Sequence, residues 1–180
     1  MNNFKLEYLN SIKSKLKIKF KYINIHKIPK LEKIVISSCL GLNAQNKKYL
    51  EEAIEEMRTI TGQHPILTKA KKSISNFKLK KDVPLGLVTT LRRDKMYYFL
   101  EKIIKLVLPR LRDFRGLDIN QFDKNGNYSF GLNDQLVFPE LNYDKITSKR
   151  GLNITIVTTA KSAEESFFLL NEFGFPFKKI

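Results

Sequence analysis

The sequence predicts an α+β fold in which residues 1–180 form a single domain: a mixed, mostly antiparallel sheet with helices packed on one face and a protruding basic loop. Several segments carry apolar residues at helical spacing, and the short segments between them are rich in β-branched residues. These segments do not alternate as regular βαβ units, which favours α+β over a doubly wound sheet. The sheet face without helices then meets a polar partner.

The first segment of the chain fits two kinds of structure. Its lysines alternate with apolar residues at Lys15, Lys17, Lys19 and Lys21, which is the period of a strand. A helical stripe also fits over a longer stretch, and we favour the helix. The stripe consists of Leu6, Leu9, Ile12, Leu16 and Phe20.

A strand and a clear helix follow. Glu32 to Ser38 is short and β-branched, which is typical of a strand. From Asn46 to Ile60 the apolar residues lie on one stripe, and Gly62 supplies a C-terminal cap. The stripe consists of Leu50, Ala53, Ile54, Met57 and Ile60, and the side predicted to face water consists of Glu51, Glu52, Glu55 and Glu56.

The middle of the chain repeats this order of strand and helix. Leu85 to Leu91 is a predicted strand, and Asp94 to Leu108 is a predicted helix that Pro109 ends. Further on, Asn125 and Gly126 lie between apolar alternations and predict a β-hairpin with a type I′ turn. The strands are therefore expected to be partly antiparallel.

The last predicted elements are again a strand and a helix. Leu152 to Thr159 alternates isoleucine with threonine and valine, which predicts a strand. Ser162 and Glu165 form a capping box, and the helix continues to a Gly174 cap followed by Pro176. This helix carries the most complete set of end signals.

Composition excludes several classes of protein. The chain has 33 Lys+Arg against 18 Asp+Glu, a net charge of +15, and 42% hydrophobic residues, so it is basic and can form a core. No stretch is apolar enough for a transmembrane helix, and no targeting segment is recognisable. A lone Cys39 with only His26 and His64 predicts a reducing compartment, no structural metal and no cofactor.

The positive charge is concentrated in two stretches. No acidic residue occurs from Met57 to Lys81 or from Tyr8 to Leu31, and both stretches are rich in lysine. A solvated face would mix both signs, so these stretches predict a nucleic-acid partner bound with release of counterions. The alternatives are a solubilising face and a membrane surface, and neither stretch has the wide apolar face of an interfacial helix.

Two clusters are candidates for RNA contact. Between Thr68 and Lys78, cations, hydroxyls and the Asn76 amide suit phosphates, 2′-hydroxyls and base edges. Phe77 could stack on an unpaired base or insert into the core, and we favour the core. The second cluster comprises Arg110, Arg112 and Arg115. Its guanidiniums suit phosphates, but Asp113 and Asp118 could equally pair with them.

The signatures of an enzyme are missing from the sequence. Nothing places a histidine beside Cys39, no glycine-rich phosphate loop occurs, and the acids lie mainly on predicted helix faces. We therefore expect a binding protein rather than a catalyst.

Seven sequence blocks occur in an order and at spacings that chance does not explain. The longest is Ile60–Ser73, and the others are Ile28–Ile34, Thr90–Arg93, Pro109–Leu117, Phe138–Glu140, Arg150–Leu152 and Gly174–Phe177. Together they resemble the large-subunit ribosomal protein five family, the 5S ribosomal RNA binders of bacterial and organellar type.

The resemblance implies a structural constituent of the large ribosomal subunit that attaches 5S ribosomal RNA in the central protuberance. Its implied partners are 5S ribosomal RNA, large-subunit ribosomal RNA, the transfer RNA in the peptidyl site and neighbouring ribosomal proteins, with no membrane. The segment from about Pro109 to Asp144 is implied to bridge to a protein of the small-subunit head.

The resemblance also assigns residues to these contacts. The family's 5S positions fall on Ser37, Gln63 and Thr90, and the family usually has asparagine where this chain has Ser37. The full expected 5S surface comprises Lys33, Ser37, Gln63, Thr68, Lys69, Lys71, Lys72, Thr90 and Arg92. The loop near transfer RNA comprises Ser73, Ser75, Asn76, Lys78, Lys80 and Lys81. The expected bridge residues are Arg110, Arg112 and Arg115.

Residue usage suggests where the protein is made. Lysine greatly outnumbers arginine, and isoleucine, asparagine, phenylalanine and tyrosine are plentiful, as an AT-rich coding genome favours. With the resemblance, this favours a plastid (chloroplast) ribosome over a mitochondrion or a bacterial cytoplasm. The alternative function is a generic RNA-binding or RNA-processing factor.

Overall fold

The computed structural model describes residues 3–112, 114–142, 146 and 148–178. Its contacts divide the chain into two compact units. The first unit comprises Met1–Ile34, Arg92–Phe130 and Thr155–Ile180, and the second comprises Val35–Leu91 and Gly131–Ile154. That the whole chain is a single domain stays a prediction.

Five strands are present in the described residues. They are β1 (Leu31–Cys39), β2 (Ile66–Lys69), β3 (Pro84–Leu91), β4 (Tyr128–Leu132) and β5 (Leu152–Thr158). They form a sheet in the order β2-β3-β1-β5-β4, and β2 pairs antiparallel with β3. The α+β class is confirmed, and the three strands predicted from β-branched residues begin and end within one residue of the predicted positions.

The helices carry the labels α1 (Asn3–Glu7), α2 (Lys13–Lys19), α3 (Lys47–Thr61), α4 (Arg93–Lys102) and α5 (Ala163–Glu172). Single π-helical turns lie at Tyr8–Ile12 and Ile103–Val107. Short 3-10 turns lie at Ile25–Lys27, Gly41–Gln45, Ser75–Phe77, Leu108–Arg110, Ile119–Gln121 and Gln135–Val137. Within the described ranges, no helix is long and apolar enough to cross a membrane.

The N-terminal segment is helical, as predicted, but its buried stripe differs. Phe4, Tyr8, Ile12 and Leu16 are buried at a spacing of four residues, whereas Leu9 is 50% exposed. The backbone hydrogen bond of a π-helical turn joins residues five apart, whereas that of an α-helical turn joins residues four apart. The extra residue rotates the side chains about the helix axis, so the buried face differs from the predicted stripe. The assignment of Leu9 to the buried face was therefore wrong.

Helix α3 begins and ends at the predicted signals. The Asn46 side chain accepts a hydrogen bond from the Lys48 N–H, and Gly62 adopts a left-handed φ of 64° and donates to the Arg58 carbonyl. The prediction that all four glutamates face water was wrong for Glu56. Its carboxylate accepts a hydrogen bond from the buried guanidinium of Arg150.

The start of helix α5 also matches its signal. Ser162 Oγ accepts a hydrogen bond from the Glu165 N–H, and the Glu165 carboxylate accepts one from the Lys161 N–H. Gly174 follows the helix with a φ of 84°. Within the first unit, α5 packs beside a cluster of aromatic rings, which comprises Phe122, Tyr128, Phe130, Phe167, Phe175 and Phe177.

The predicted hairpin turn exists in a different form. The Gly126 N–H donates to the Asp123 carbonyl at 3.1 Å, and the Asp123 N–H donates to the Asn127 carbonyl at 2.9 Å. Gly126 has a φ of 77°, but Asn125 is not left-handed. A type I′ turn needs positive φ at both central residues, so that prediction was wrong. The Asp123 carboxylate, which accepts from the Asn125 N–H, stabilises the turn instead.

Candidate nucleic-acid interface

In the second unit, the strands bury one face and leave small or polar side chains on the other. In β3, Leu87 and Leu91 are buried, while Thr90 between them is only partly covered. In β1, Ile36 is buried and Ser37 is partly covered. Because side chains alternate along a strand, Ser37 and Thr90 both lie on the face opposite the core. We call this the open face.

Gln63 follows the C-terminal cap of α3 and is hydrogen-bonded to strand β3. Its backbone N–H donates to Thr61 Oγ1 at 3.2 Å, and its Nε2 donates to the Thr90 carbonyl at 3.2 Å. The structure therefore brings the predicted residues Gln63 and Thr90 together. Among the described residues Gln63 Oε1 has no hydrogen-bond partner, so this acceptor is free to bond to a partner molecule.

Two neighbouring serines of β1 have different surroundings. Ser38 is buried, and its hydroxyl donates to the Gly151 carbonyl at 2.9 Å. Within the described ranges, the Ser37 hydroxyl has no such partner. Ser38 thus contributes to the fold, and Ser37 can offer one hydrogen bond to a partner where asparagine would offer two.

Lys33 and Arg92 lie in the first unit and share one carboxylate. Lys33 Nζ is 3.9 Å from Glu32 Oε1, and Arg92 Nη1 is 4.0 Å from the same oxygen. Both distances are long, and the side chains are partly exposed. Such ion pairs contribute little and can be exchanged for a phosphate.

The remaining cations of the predicted RNA surface lie on strand β2 and on the loop after it. Thr68 and Lys69 are exposed on β2. The loop begins after Ala70, whose N–H donates to the Val83 carbonyl at 2.9 Å and whose carbonyl accepts from the Asp82 N–H at 3.0 Å. These two bonds close the base of what we call the lysine loop, residues 71–82.

Backbone hydrogen bonds give the lysine loop a defined shape. Ile74 and Leu79 exchange two N–H to carbonyl bonds of 3.0 and 3.1 Å. The Lys78 N–H donates to the Ser75 carbonyl at 2.9 Å, and the Lys81 N–H donates to Ser73 Oγ at 3.0 Å. The loop therefore presents its side chains from an ordered backbone.

The polar side chains of the lysine loop point to solvent. Ser75 and Asn76 are exposed, as are Lys71, Lys72, Lys78, Lys80 and Lys81. In the part of the chain that the structure describes, none of these lysines has a carboxylate within ion-pair distance. An uncompensated cluster of this kind suits a polyanion.

Phe77 is 64% exposed at the tip of the lysine loop. The prediction that it inserts into the core was therefore wrong. Phe77 ends the short Ser75–Phe77 turn, none of whose residues is buried.

The arginine cluster belongs to the first unit. Arg110, Arg112 and Arg115 are exposed. Of the acids that could pair with them, Asp113 lies outside the described residues, and Asp118 accepts a hydrogen bond from the Asn120 N–H at 3.1 Å. Whether the cluster contacts phosphates or a protein partner stays a prediction.

Arg150 is a buried cation that the sequence did not predict. Its side chain is 3% exposed and lies between the Glu56 carboxylate, to which it donates, and Glu52 Oε2 at 3.7 Å. Its guanidinium also lies over the Tyr49 ring at 4.2 Å from the ring centroid. Burial alone would lower the pKa of Arg150, but the hydrogen bonds and charge interactions with Glu56 and Tyr49 together outweigh burial, and the pKa is raised.

Cys39 is exposed at the end of β1, with its Sγ 4.0 Å from the Leu85 carbonyl. Among the described residues, no three His, Cys, Asp or Glu side chains converge as ligands for a metal ion.

Comparisons with known proteins point to one family. A family model described as ribosomal protein L5 matches residues 24–80, and a second model, for the C-terminus of the same ribosomal family, matches residues 84–177. The chain is 54% identical to the large ribosomal subunit protein uL5c of Gracilaria tenuistipitata var. liui, over 98% of each chain. It is 52% identical to the protein of the same name in Euglena gracilis, over 99% of each chain. It is 57% identical to the large ribosomal subunit protein uL5 of Geotalea uraniireducens, over 88% of this chain and 89% of that one.

Proposed function

Because the chain belongs to the ribosomal protein L5 family, we propose that it attaches 5S ribosomal RNA to the large ribosomal subunit through the open face of its sheet. As a member of that family it is a structural constituent of the large subunit and not an enzyme. The observation that carries the proposal is the Gln63 amide, held at 3.2 Å by the Thr90 carbonyl with its acceptor oxygen available.

Recognition and affinity come from different residues. Gln63 and Ser37 offer hydrogen-bonding groups that can read a base edge or a 2′-hydroxyl, and these select one folded RNA. Lysines at the end of β2 and the start of the lysine loop neutralise phosphates, which contributes affinity for any RNA. These lysines are Lys69, Lys71 and Lys72. Thr68, on the same strand as Lys69, extends this surface. In the first unit, Lys33 and Arg92 are two further proposed phosphate contacts.

The other predicted contacts complete the proposal. The lysine loop approaches the transfer RNA in the peptidyl site, supported by its exposed lysines. Arg110, Arg112 and Arg115 contribute to a bridge with a small-subunit head protein, supported by their exposure. Large-subunit ribosomal RNA and neighbouring ribosomal proteins surround the rest. The particle is the plastid (chloroplast) ribosome, in line with the uL5c relatives in Gracilaria and Euglena.

Gel-shift titration of the purified chain with 5S ribosomal RNA, in competition with transfer RNA, tests the proposal. We expect tighter binding of 5S RNA. If about six phosphates are neutralised, the logarithm of the affinity falls against the logarithm of salt concentration with a slope of about −5. Equal affinity for both RNAs would indicate a generic RNA-binding factor and contradict the proposal.

A further inference from the structure

An open groove lies beside the tip of the lysine loop, entirely within the second unit. It has a volume of about 500 Å³, which falls in the roughly 300–1,000 Å³ range of small-ligand sites. Two of its walls are exposed apolar side chains, Phe77 at 64% and Leu42 at 50% exposure. The remaining lining residues are Gly41, Asn76, Lys78, Leu79 and Leu85.

The lining contains three kinds of side chain that can together bind a nucleotide. Phe77 offers an aromatic ring, on which any base can stack. Asn76 offers an exposed amide, which can both donate to and accept from a base edge. Lys78 offers a cation for the phosphate of the same nucleotide. Residues 71–81 contain no acid, so the surroundings attract an RNA strand and disfavour a basic protein segment.

Backbone hydrogen bonds also fix the conformation of the loop tip that carries Asn76, Phe77 and Lys78. Lys78 has a left-handed φ of 52° and closes the Ser75–Phe77 turn by its bond to the Ser75 carbonyl. The two bonds between Ile74 and Leu79 enclose the same turn. A stacking residue on an ordered turn loses less conformational entropy on binding than one on an unstructured loop.

We propose that this groove takes one unstacked nucleobase of a folded RNA: Phe77 stacks on the base, the Asn76 amide bonds to its edge, and Lys78 contacts its phosphate. The proposal rests on the proposed RNA-binding function and deepens it. The lysine loop then selects RNA with an exposed base over fully paired RNA, which phosphate contacts alone do not do.

Two RNA probes test this with the full chain. The first is an RNA hairpin with one 2-aminopurine in its unpaired loop, and the second is a blunt RNA duplex of equal length. We expect the wild-type chain to prefer the hairpin and to quench the 2-aminopurine fluorescence by stacking. Phe77→Ala should lose the quenching and weaken hairpin binding by about 5- to 150-fold, the range for one stacked base. Duplex binding and the salt dependence should not change.

Matched substitutions separate stacking from other contacts. Phe77→Tyr keeps the ring and should bind the hairpin like the wild type. Phe77→Leu keeps an apolar side chain without a ring and should behave like Phe77→Ala. Hairpin binding that survives in Phe77→Leu would indicate an apolar contact of the kind a protein partner makes, and it would overturn the proposal. Equal losses on hairpin and duplex, or no loss at all, would overturn it too.

Competition between 5S RNA and transfer RNA, measured on the same preparations, separates this inference from the proposed function. If the wild-type chain still prefers 5S RNA while Phe77→Ala changes nothing, the base site is wrong and the 5S function stands. If the preference for 5S RNA is itself missing, the proposed function is wrong.

Discussion

Arg150 and the lysines of the lysine loop are cations of the same unit with opposite surroundings. The Arg150 side chain is 3% exposed, donates to Glu56 and lies over Tyr49. The loop lysines are exposed, and in the described part of the chain no carboxylate pairs with them. Because a buried charge must be compensated within the chain, the Arg150 guanidinium is paired with the carboxylates of Glu52 and Glu56. The charge of the loop lysines is uncompensated in the described part of the chain and can attract an external anion.

The largest effect on stability should come from Arg150→Ala, which removes the buried cation. Removing the guanidinium leaves Glu56, whose side chain is 12% exposed, without its cationic partner and with a 3.5 Å hydrogen bond from Gln135. We expect a loss of about 3–5 kcal/mol in the free energy of unfolding, measured by urea denaturation.

Lys149→Ala is the matched control for Arg150→Ala. Lys149 is the preceding residue, its side chain is 76% exposed, and its ion pair with Asp134 lies at the surface. Its loss should change the free energy of unfolding by at most about 1 kcal/mol. Equal effects of the two substitutions would show that Arg150 has no special role in the fold.

Gln63→Ala tests the selective part of the RNA surface. The substitution removes an amide acceptor with no partner in the described residues, so its cost should fall on the RNA that the amide reads. We expect 5S RNA binding to weaken by about 1–3 kcal/mol in a gel-shift assay, with transfer RNA binding nearly unchanged. A uniform loss across RNAs would remove Gln63 from the specificity residues.

The double substitution Lys71→Ala with Lys72→Ala tests the part of the RNA surface that contributes affinity for any RNA. Each lysine that contacts a phosphate contributes about 1 to the slope of log affinity against log salt. We therefore expect a slope shallower by about 2 and weaker binding of every RNA, with no change in urea stability because both side chains are exposed. A loss confined to 5S RNA would contradict this division of roles.

The smallest effects are expected for the two serines of β1, one on 5S binding and the other on stability. Ser37→Ala removes a hydroxyl of the open face and should weaken 5S binding by about 0.5–1.5 kcal/mol without changing stability. Ser38→Ala removes the bond to the Gly151 carbonyl and should lower the free energy of unfolding by a similar amount while 5S binding is kept. The reverse assignment of the two losses would place Ser38, not Ser37, on the RNA face.

Local signals predicted much of the fold. The ends of α3 and α5 follow from Asn46, Gly62 and Ser162, because capping depends on residues within one helical turn. Strands β1, β3 and β5 follow from β-branched alternation for the same reason. The π turn at Tyr8–Ile12 has no local signal of this kind, and the buried face of the first helix was therefore misassigned.

Features that depend on distant residues were not predicted. The pairing of Glu56 with Arg150 joins positions 94 residues apart, and composition alone places both on the surface. The exposure of Phe77 goes with its place in a loop whose base is closed by the bond between Ala70 and Val83, a pairing that the basic sequence around Phe77 does not reveal. The expected site residue Gln63 came from family resemblance, and only the structure shows its bond to the Thr90 carbonyl.

Ultraviolet crosslinking of assembled large subunits tests the role of the open face most directly. The RNA attached to peptides that contain Ser37, Gln63 or Thr90 would be identified by sequencing. We expect 5S ribosomal RNA on these peptides. Crosslinks from them to a different RNA or to a protein, with 5S RNA attached elsewhere on the chain, would contradict the account.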